Sequence, residues 1–345
     1  MRKSPSLLMI VAASLAPLAP VVVQAKERAP TPPATEASQG DSNEPTPAVL
    51  VVGPLQIASD ANLAVEGTRV SVAVDNVAYT YQLKNKGQTE LDLFASIAMP
   101  VLAASVDGSE TWALPSSNAE NPVDLVVTAD GAKIATKVGM HANALSVDRL
   151  AEIRAARLPL VPFGPEIDRA VAALTPDAAD KLAALGVLSP RDPTQASAAI
   201  TADWTLEAVH SWQQRLEPGK TTALTVSFKP VKAEYTLDKS GVAGLDALKD
   251  DACLSSQTLN TIKSKLRAKN GALSLVDIAL SNDAPVRWLE SPSAVVSVQK
   301  PVPETIVAFC GIDPKTVGQP RVVGTIPSAE QSEGFRVLMF SPMTP

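Results

Sequence analysis

The sequence predicts a mainly β protein of the α+β class, with an antiparallel β-sandwich-like core and a helical insert. Three observations carry this expectation. Apolar residues alternate at a period of two along many stretches, which places one face of a strand on a core. Prolines number 29 in 345 residues, above the usual share of about 5%, and proline favours strands, turns and linkers over a helical bundle. Helical spacing is confined to residues 146–196 and 250–270. Hydrophobic residues make up 46% and aromatics 4%, so the core is expected to be aliphatic.

The chain opens with a secretory pattern. Arg2 and Lys3 precede an apolar run from Leu7 to Val23, and Val23-Gln24-Ala25 places small residues where a signal peptidase reads. The run is broken by Pro17 and Pro20 and is shorter than the ~20 residues of a spanning helix. Residues 1–25 are therefore expected to be a signal peptide cleaved after Ala25. No later apolar run approaches spanning length, so no membrane span is expected after cleavage. A short leader with two basic residues looks bacterial, and the periplasm or the exterior is the expected destination. Residues 26–47, rich in Pro, Thr, Ser, Ala and Glu, cannot bury enough apolar surface to offset their ordering entropy and read as a disordered linker.

The globular region is expected over 48–342. Its first β part covers 48–145. Val70, Val72 and Val74 alternate with small and polar residues, as do Val77, Tyr79, Tyr81 and Leu83, and then Leu91, Leu93, Ala95 and Ile97. Asp75-Asn76 and Asn85-Lys86-Gly87 carry turn chemistry between them. Val123, Leu125 and Val127 lead into Asp130-Gly131, a hairpin signal. The helical insert covers 146–196. Val147, Leu150, Ile153 and Leu158 recur at helical spacing up to Pro159; Pro165-Glu166 opens a second helix toward Leu174. Thr175 with Pro176 opens a third, which ends near Gly186. The second β part, 197–342, resumes at Trp204 and contains Leu224, Val226 and Phe228 in alternation. A helix is expected over 250–270 with Gly271 as its stop, followed by strands near 275–280, 294–298, 305–309 and 335–340.

Several local phrases then fall in a recognisable order: Tyr79-Thr80-Tyr81-Gln82-Leu83-Lys84-Asn85-Lys86-Gly87, Ala98-Met99-Pro100, Leu158-Pro159-Leu160-Val161-Pro162, Ala183-Ala184-Leu185-Gly186, Trp204-Thr205, Trp212-Gln213-Gln214, Glu217-Pro218-Gly219-Lys220, Lys229-Pro230 and Ala308-Phe309-Cys310-Gly311. In these the chain resembles the bacterial secreted family called domain of unknown function 4424, over about residues 48 to 342. The resemblance implies an exported protein with a β-rich fold and supplies no activity, cofactor or catalytic residue. It also implies a Cys ahead of the long helix, which Cys253 matches.

Residue chemistry narrows the function classes. Thirty basic against 36 acidic residues give a net charge of −6. Mild acidity argues against a nucleic-acid partner, which needs clustered Lys and Arg. Cys253 and Cys310 are an even pair in an exported chain and read as a disulfide. His210 shares strand parity with Trp204 and Trp212, a face that either binds a flat ligand or packs as core. Met140-His141 offers soft and imidazole donors for a metal, below the ligand count of a dedicated site. Asp250 and Asp251 read as support for the N-terminus of the following helix rather than as an acid/base pair. A Gly-x-Ser-x-Gly elbow and a Gly-rich phosphate loop are both absent. No cofactor is expected. The leading functional reading is a non-catalytic envelope protein that binds a partner protein or a small molecule. The alternatives are a cell-envelope hydrolase with a site assembled from distant residues, and a periplasmic metal or small-molecule carrier.

Overall fold

Among the described residues, period-two alternation becomes strands that pair into three sheets. The computed structural model describes residues 50–104, 114–190, 200–239, 245, 249, 254–268, 271–280, 294–310, 313–317, 320–326 and 335–343. Sheet I runs in the order β1 (Leu55–Ile57), β4 (Leu91–Ala98), β10 (Thr205–Leu216), β8 (Lys137–Ala144) and β9 (Val147–Asp148), with β5 (Leu102–Ala103) pairing β10 beyond the end of β4. Sheet II runs β16 (Asp313–Val317), β17 (Arg321–Ile326), β14 (Ala294–Gln299), β2 (Leu63–Ala73), β3 (Asn76–Asn85), β11 (Thr221–Phe228), β6 (Val126–Ala129) and β7 (Ala132–Lys133). Sheet III runs β12 (Ala233–Leu237), β13 (Leu273–Leu280), β18 (Phe335–Pro342) and β15 (Ile306–Cys310). The pairs are antiparallel except that β14 joins β2 in parallel.

Among the described residues, three apolar cores follow from which faces are buried. The inward residues of β4 (Leu91, Leu93, Ala95, Ile97) meet those of β2, β3 and β11, together with Val276, Ile278 and Met339 of sheet III. Each fully buried aliphatic side chain contributes roughly 1.5–3 kcal/mol. A second core lies under the other end of sheet I, where Ala142, Ala144, Trp204 and Leu206 meet the helical insert. The third covers the opposite face of sheet III with Leu259, Ile262 and Leu266. Sheet III is thus buried on both faces, which explains the near-continuous apolar run of β13. Asp277, buried within that run, is held by the Nε of Arg336 and by a second, close contact from its terminal nitrogen. An unpaired buried carboxylate would be costly there.

The insert contains α1 (Leu150–Ala155), α2 (Pro165–Ala172) and α3 (Pro176–Ala184). At α3 the reading from sequence holds in detail. Thr175 Oγ1 accepts from the Ala178 N–H at 3.3 Å and Pro176 sits at the first helical position. Gly186, at φ +73°, closes the helix, with Val187 N–H donating to Leu182 O and Gly186 N–H to Ala183 O, both at 2.9 Å.

Elsewhere the structure corrects the expected bounds. Val147 belongs to β9 and not to the first helix, because Asp148 turns its carboxylate to the Leu150 N–H at 3.0 Å and starts α1 at residue 150. Val123 and Leu125 are buried outside any strand. The Asn121 side chain takes both the N–H and the C=O of Leu125, at 2.6 and 3.1 Å, in place of a neighbouring strand. The helix expected over 250–270 is α4, Ser256–Arg267, because Ser255 is its N-cap and accepts from Thr258 N–H at 3.1 Å. Asp250 and Asp251 lie outside the described residues. Gly271 does not stop α4 through a left-handed backbone; it sits so close to the last turn that a Cβ would fall 2.2 Å from Lys265 O.

The leader 1–25, the linker 26–47 and Cys253 also lie outside the described residues. Of Cys310 the backbone alone is described, at the end of β15. No helix among the described residues is long and apolar enough to cross a membrane.

Candidate functional site

Strand β10 carries two of the residues that the sequence marks for chemistry, His210 and Trp212. Its even positions all face inward, so Trp204, just before the strand, and His210 and Trp212 within it do share one face. That face is packed core. Trp204 belongs to the core under the helical insert and Trp212 to the sandwich core. His210 lies at the seam between them with 3% exposure. Both of its ring nitrogens have protein partners, Nε2 at 2.9 Å from Glu120 O and Nδ1 at 2.9 Å from Thr136 Oγ1. A carbonyl can only accept, so Nε2 carries a hydrogen. The indoles are also paired: Trp204 Nε1 donates to Leu160 O at 2.9 Å and Trp212 Nε1 to Gln214 Oε1 at 3.3 Å.

The structure does not bring Met140 and His141 together. They are neighbours on β8 and therefore point to opposite faces. Met140 packs against the two cores that flank sheet I, whereas His141 is exposed and pairs through Nδ1 with Asp148 Oδ2 at 2.8 Å. Among the described residues, no three His, Cys, Asp or Glu side chains are grouped to hold a metal ion.

What the structure builds instead is an open cleft of about 700 Å³. Its walls come from three places. The end of β5 contributes Ala103 and Ala104, the β8–β9 hairpin contributes Asn143, Leu145 and Ser146, and the start of β10 contributes Asp203, Trp204, Thr205 and Glu207. The entry to β10 is set by a short ladder from the helical insert, with Asp203 N–H donating to Val187 O and Ser189 N–H to Thr201 O, both at 2.9 Å. Thr205 lies directly opposite Asn143 in the β10–β8 register, and Glu207 opposite His141.

The rim of the cleft is strained. Leu145 and Ser146 form the two-residue turn between β8 and β9, at φ +49° and +63°. The hairpin between β6 and β7 adopts positive φ at the same two positions, but with Asp130-Gly131, the residues such a turn prefers. A Leu in this backbone costs roughly 1–2 kcal/mol relative to its ordinary conformation. Two contacts hold it there. Leu145 lies over Gly186, where a Cβ would come within 2.5 Å of its side chain. Asp148 accepts from Ala142 N–H at 3.2 Å as well as from Leu150 and His141. The His141 ring first, then these two N–H groups, hold the Asp148 carboxyl below its ordinary range. Leu145 nevertheless remains 76% exposed.

Two carboxylates face the cleft. Glu207 Oε1 accepts from Asn143 Nδ2 at 3.3 Å, and Oε2 has no partner among the described residues. The Asp203 carboxylate has no side-chain partner among them. Among the described residues, no Lys, Arg or His lines the cleft. No signal in the sequence groups these residues: Leu145-Ser146 lacks Gly, Asn or Asp at the turn, and Asp203 and Glu207 sit among neighbours without a motif.

The fold is thus a mainly β, α+β scaffold with a sandwich core, a helical insert and one open cleft described at their junction. The chain belongs to the family described as a domain of unknown function (DUF4424), whose model matches residues 43–322. No curated protein matches the sequence. Among solved structures, a protein named as a candidate nutrient-binding protein from Legionella pneumophila is similar at 8% identity and a TM-score of 0.38, over 84% of this chain and 71% of that one. Yeast LTA4 hydrolase is similar at 12% identity and a TM-score of 0.29, over 81% of this chain and 29% of that one. An M1 zinc metallopeptidase from Deinococcus radiodurans follows at 11% identity and 0.25, over 81% and 43%. The chain therefore spans less than half the length of either of these two enzymes. At such identities and TM-scores none of the three likenesses bears on activity.

Proposed function

We propose that this is an exported, non-catalytic binding module whose ligand occupies the cleft between the β8–β9 hairpin and the start of β10. The observation that carries this reading is the strained Leu145–Ser146 rim around a cleft of about 700 Å³. That volume falls in the range of small-molecule sites, roughly 300–1,000 Å³. Strain of this kind persists where its surroundings enforce it and concentrates at binding and catalytic sites. The walls stand on paired strands, so the cleft is pre-formed.

Export is supported by the leader pattern of residues 1–25, with cleavage after Ala25. It is accompanied by a disulfide between Cys253 and Cys310. In support, α4 begins at Ser256 and packs through Leu259 and Ile262 against Ala308 of β15, the strand that ends at Cys310.

The test is native mass spectrometry of protein purified gently from the periplasm, with Ala103→Trp as the comparison. Ala103 is exposed on the cleft wall, so an indole there fills the space without disturbing a core. The expected result is a reproducible small-molecule adduct on a chain beginning at Lys26, lost in Ala103→Trp while the melting temperature holds. An adduct that survives the substitution would place the ligand elsewhere, and absence of any adduct on the unsubstituted protein would remove the reading.

A further inference from the structure

We propose that the ligand of the cleft is an organic cation, a linear di- or polyamine held by Asp203 and Glu207 at its two ends. This rests on reading the cleft as the binding site. The argument starts from strand geometry. Asp203, Thr205 and Glu207 have the same parity and are exposed or half-buried while Trp204 and Leu206 face inward, so the three lie in a row on the outward side. If the chain is extended from Asp203 into β10, four residue steps separate the two acids by about 13 Å. An extended amine chain of a few carbons spans such a distance.

The surroundings select charge and shape. Asp203 keeps its carboxylate free of side-chain partners among the described residues, and Glu207 keeps Oε2 free. His141, the register partner of Glu207, turns to Asp148 instead. With no Lys or Arg on the walls among the described residues, the two carboxylates set a field inside the cleft that favours a cation and opposes an anion. Ala103, Ala104 and Leu145 offer apolar surface to a methylene stem, while Asn143 and Thr205 lie between the two acids. A bare divalent ion is a poor match. It needs about six or more oxygen ligands converging on one point, and the two acids stand too far apart along the strand to converge.

The test is calorimetric titration of the full mature protein with spermidine, with 1,8-octanediol as neutral and suberate as anionic probes of similar length. Spermidine is expected to bind. Asp203→Asn and Glu207→Gln should each weaken it about tenfold, and raising the salt to about 0.5 M should weaken it further. Both acids are on the surface, so neither substitution threatens folding. Spermidine binding unchanged in both variants would overturn the proposal. Binding of octanediol or suberate but not spermidine, abolished by Ala103→Trp, would overturn the cationic class while leaving the cleft as the site. If no probe binds, the amine proposal fails, and the adduct comparison on Ala103→Trp decides separately whether the cleft reading survives.

Discussion

Asn85 shows how much one buried amide can organise. Its Nδ2 donates to Thr89 O at 2.8 Å and to Leu216 O at 3.0 Å, while Oδ1 accepts from Gly87 N–H at 2.8 Å. Its backbone bonds Lys220 O and Gly219 N–H across the turn between β10 and β11. One side chain thus closes the β3–β4 turn and ties it to a turn over 130 residues later in the chain. Asn85→Ala should leave two carbonyls and an N–H without these partners and cost about 2–3 kcal/mol, read as a lower midpoint in equilibrium urea unfolding. An unchanged midpoint would mean that water replaces the amide. The sequence marks Asn85 as a turn residue, which is half of its role. The bond to Leu216 depends on the return of β10, which no local pattern announces. His210 is a similar case. Its strand parity with Trp204 and Trp212 is legible, but the two loops that supply Glu120 O and Thr136 Oγ1 are not.

The β8–β9 hairpin is the element on which the cleft depends. Gly186 is legible as a helix stop, yet in the fold it also seats Leu145. Gly186→Ala should therefore do more than strain a left-handed position. Beyond roughly 1–2 kcal/mol for the backbone, the new Cβ must push Leu145 off its seat, and thermal melting should fall by more than at Gly219→Ala, where φ is +68° and nothing lies within 4 Å of the new Cβ. Equal losses would show that Leu145 yields freely. The hairpin should also respond to pH. The folded Asp148 carboxyl is held below its ordinary value, so its contribution is present above that value, about pH 4. It is lost as pH falls through the lowered one. Because the side chain is 44% exposed, screening keeps the effect small. Asp148→Asn should flatten this acid limb of the stability profile; a variant that retains the full limb would assign it to other carboxylates. Strand β8 itself, Lys-Val-Gly-Met-His-Ala-Asn-Ala, escapes a reading from sequence because its outward Gly139 and inward Ala142 and Ala144 blur the apolar–polar alternation. The opposite case is β13, whose apolar run is plain because both of its faces are buried.

For the whole molecule, the three cores meet through sheet I and sheet III, and the described residues within 47–345 form one compact unit. Sheet III is tied to its neighbours by burial on one side and by α4 on the other. A covalent link from the segment ahead of α4 to the end of β15 would restrain the unfolded chain across a long loop. In the chain-entropy account this is worth about 4 kcal/mol. Cys253→Ser should then lower the melting temperature of oxidised protein by several degrees and leave reduced protein unchanged. Equal melting of the oxidised forms would dispose of the disulfide.

By itself the sequence determined the class of the fold, the runs of β2, β3, β4, β11 and β18, the caps of α3 and the Asp130-Gly131 hairpin. Each of these follows from interactions within a few residues, whether side-chain parity, a capping hydroxyl or a left-handed glycine. Only the tertiary structure decided that β14 joins β2 in parallel and that Ala103, Leu145, Asp203 and Glu207 share one cleft. Those facts arise from which strands become neighbours. That choice is made by burying three separate cores at once, and such a long-range balance leaves no periodic trace in any single segment.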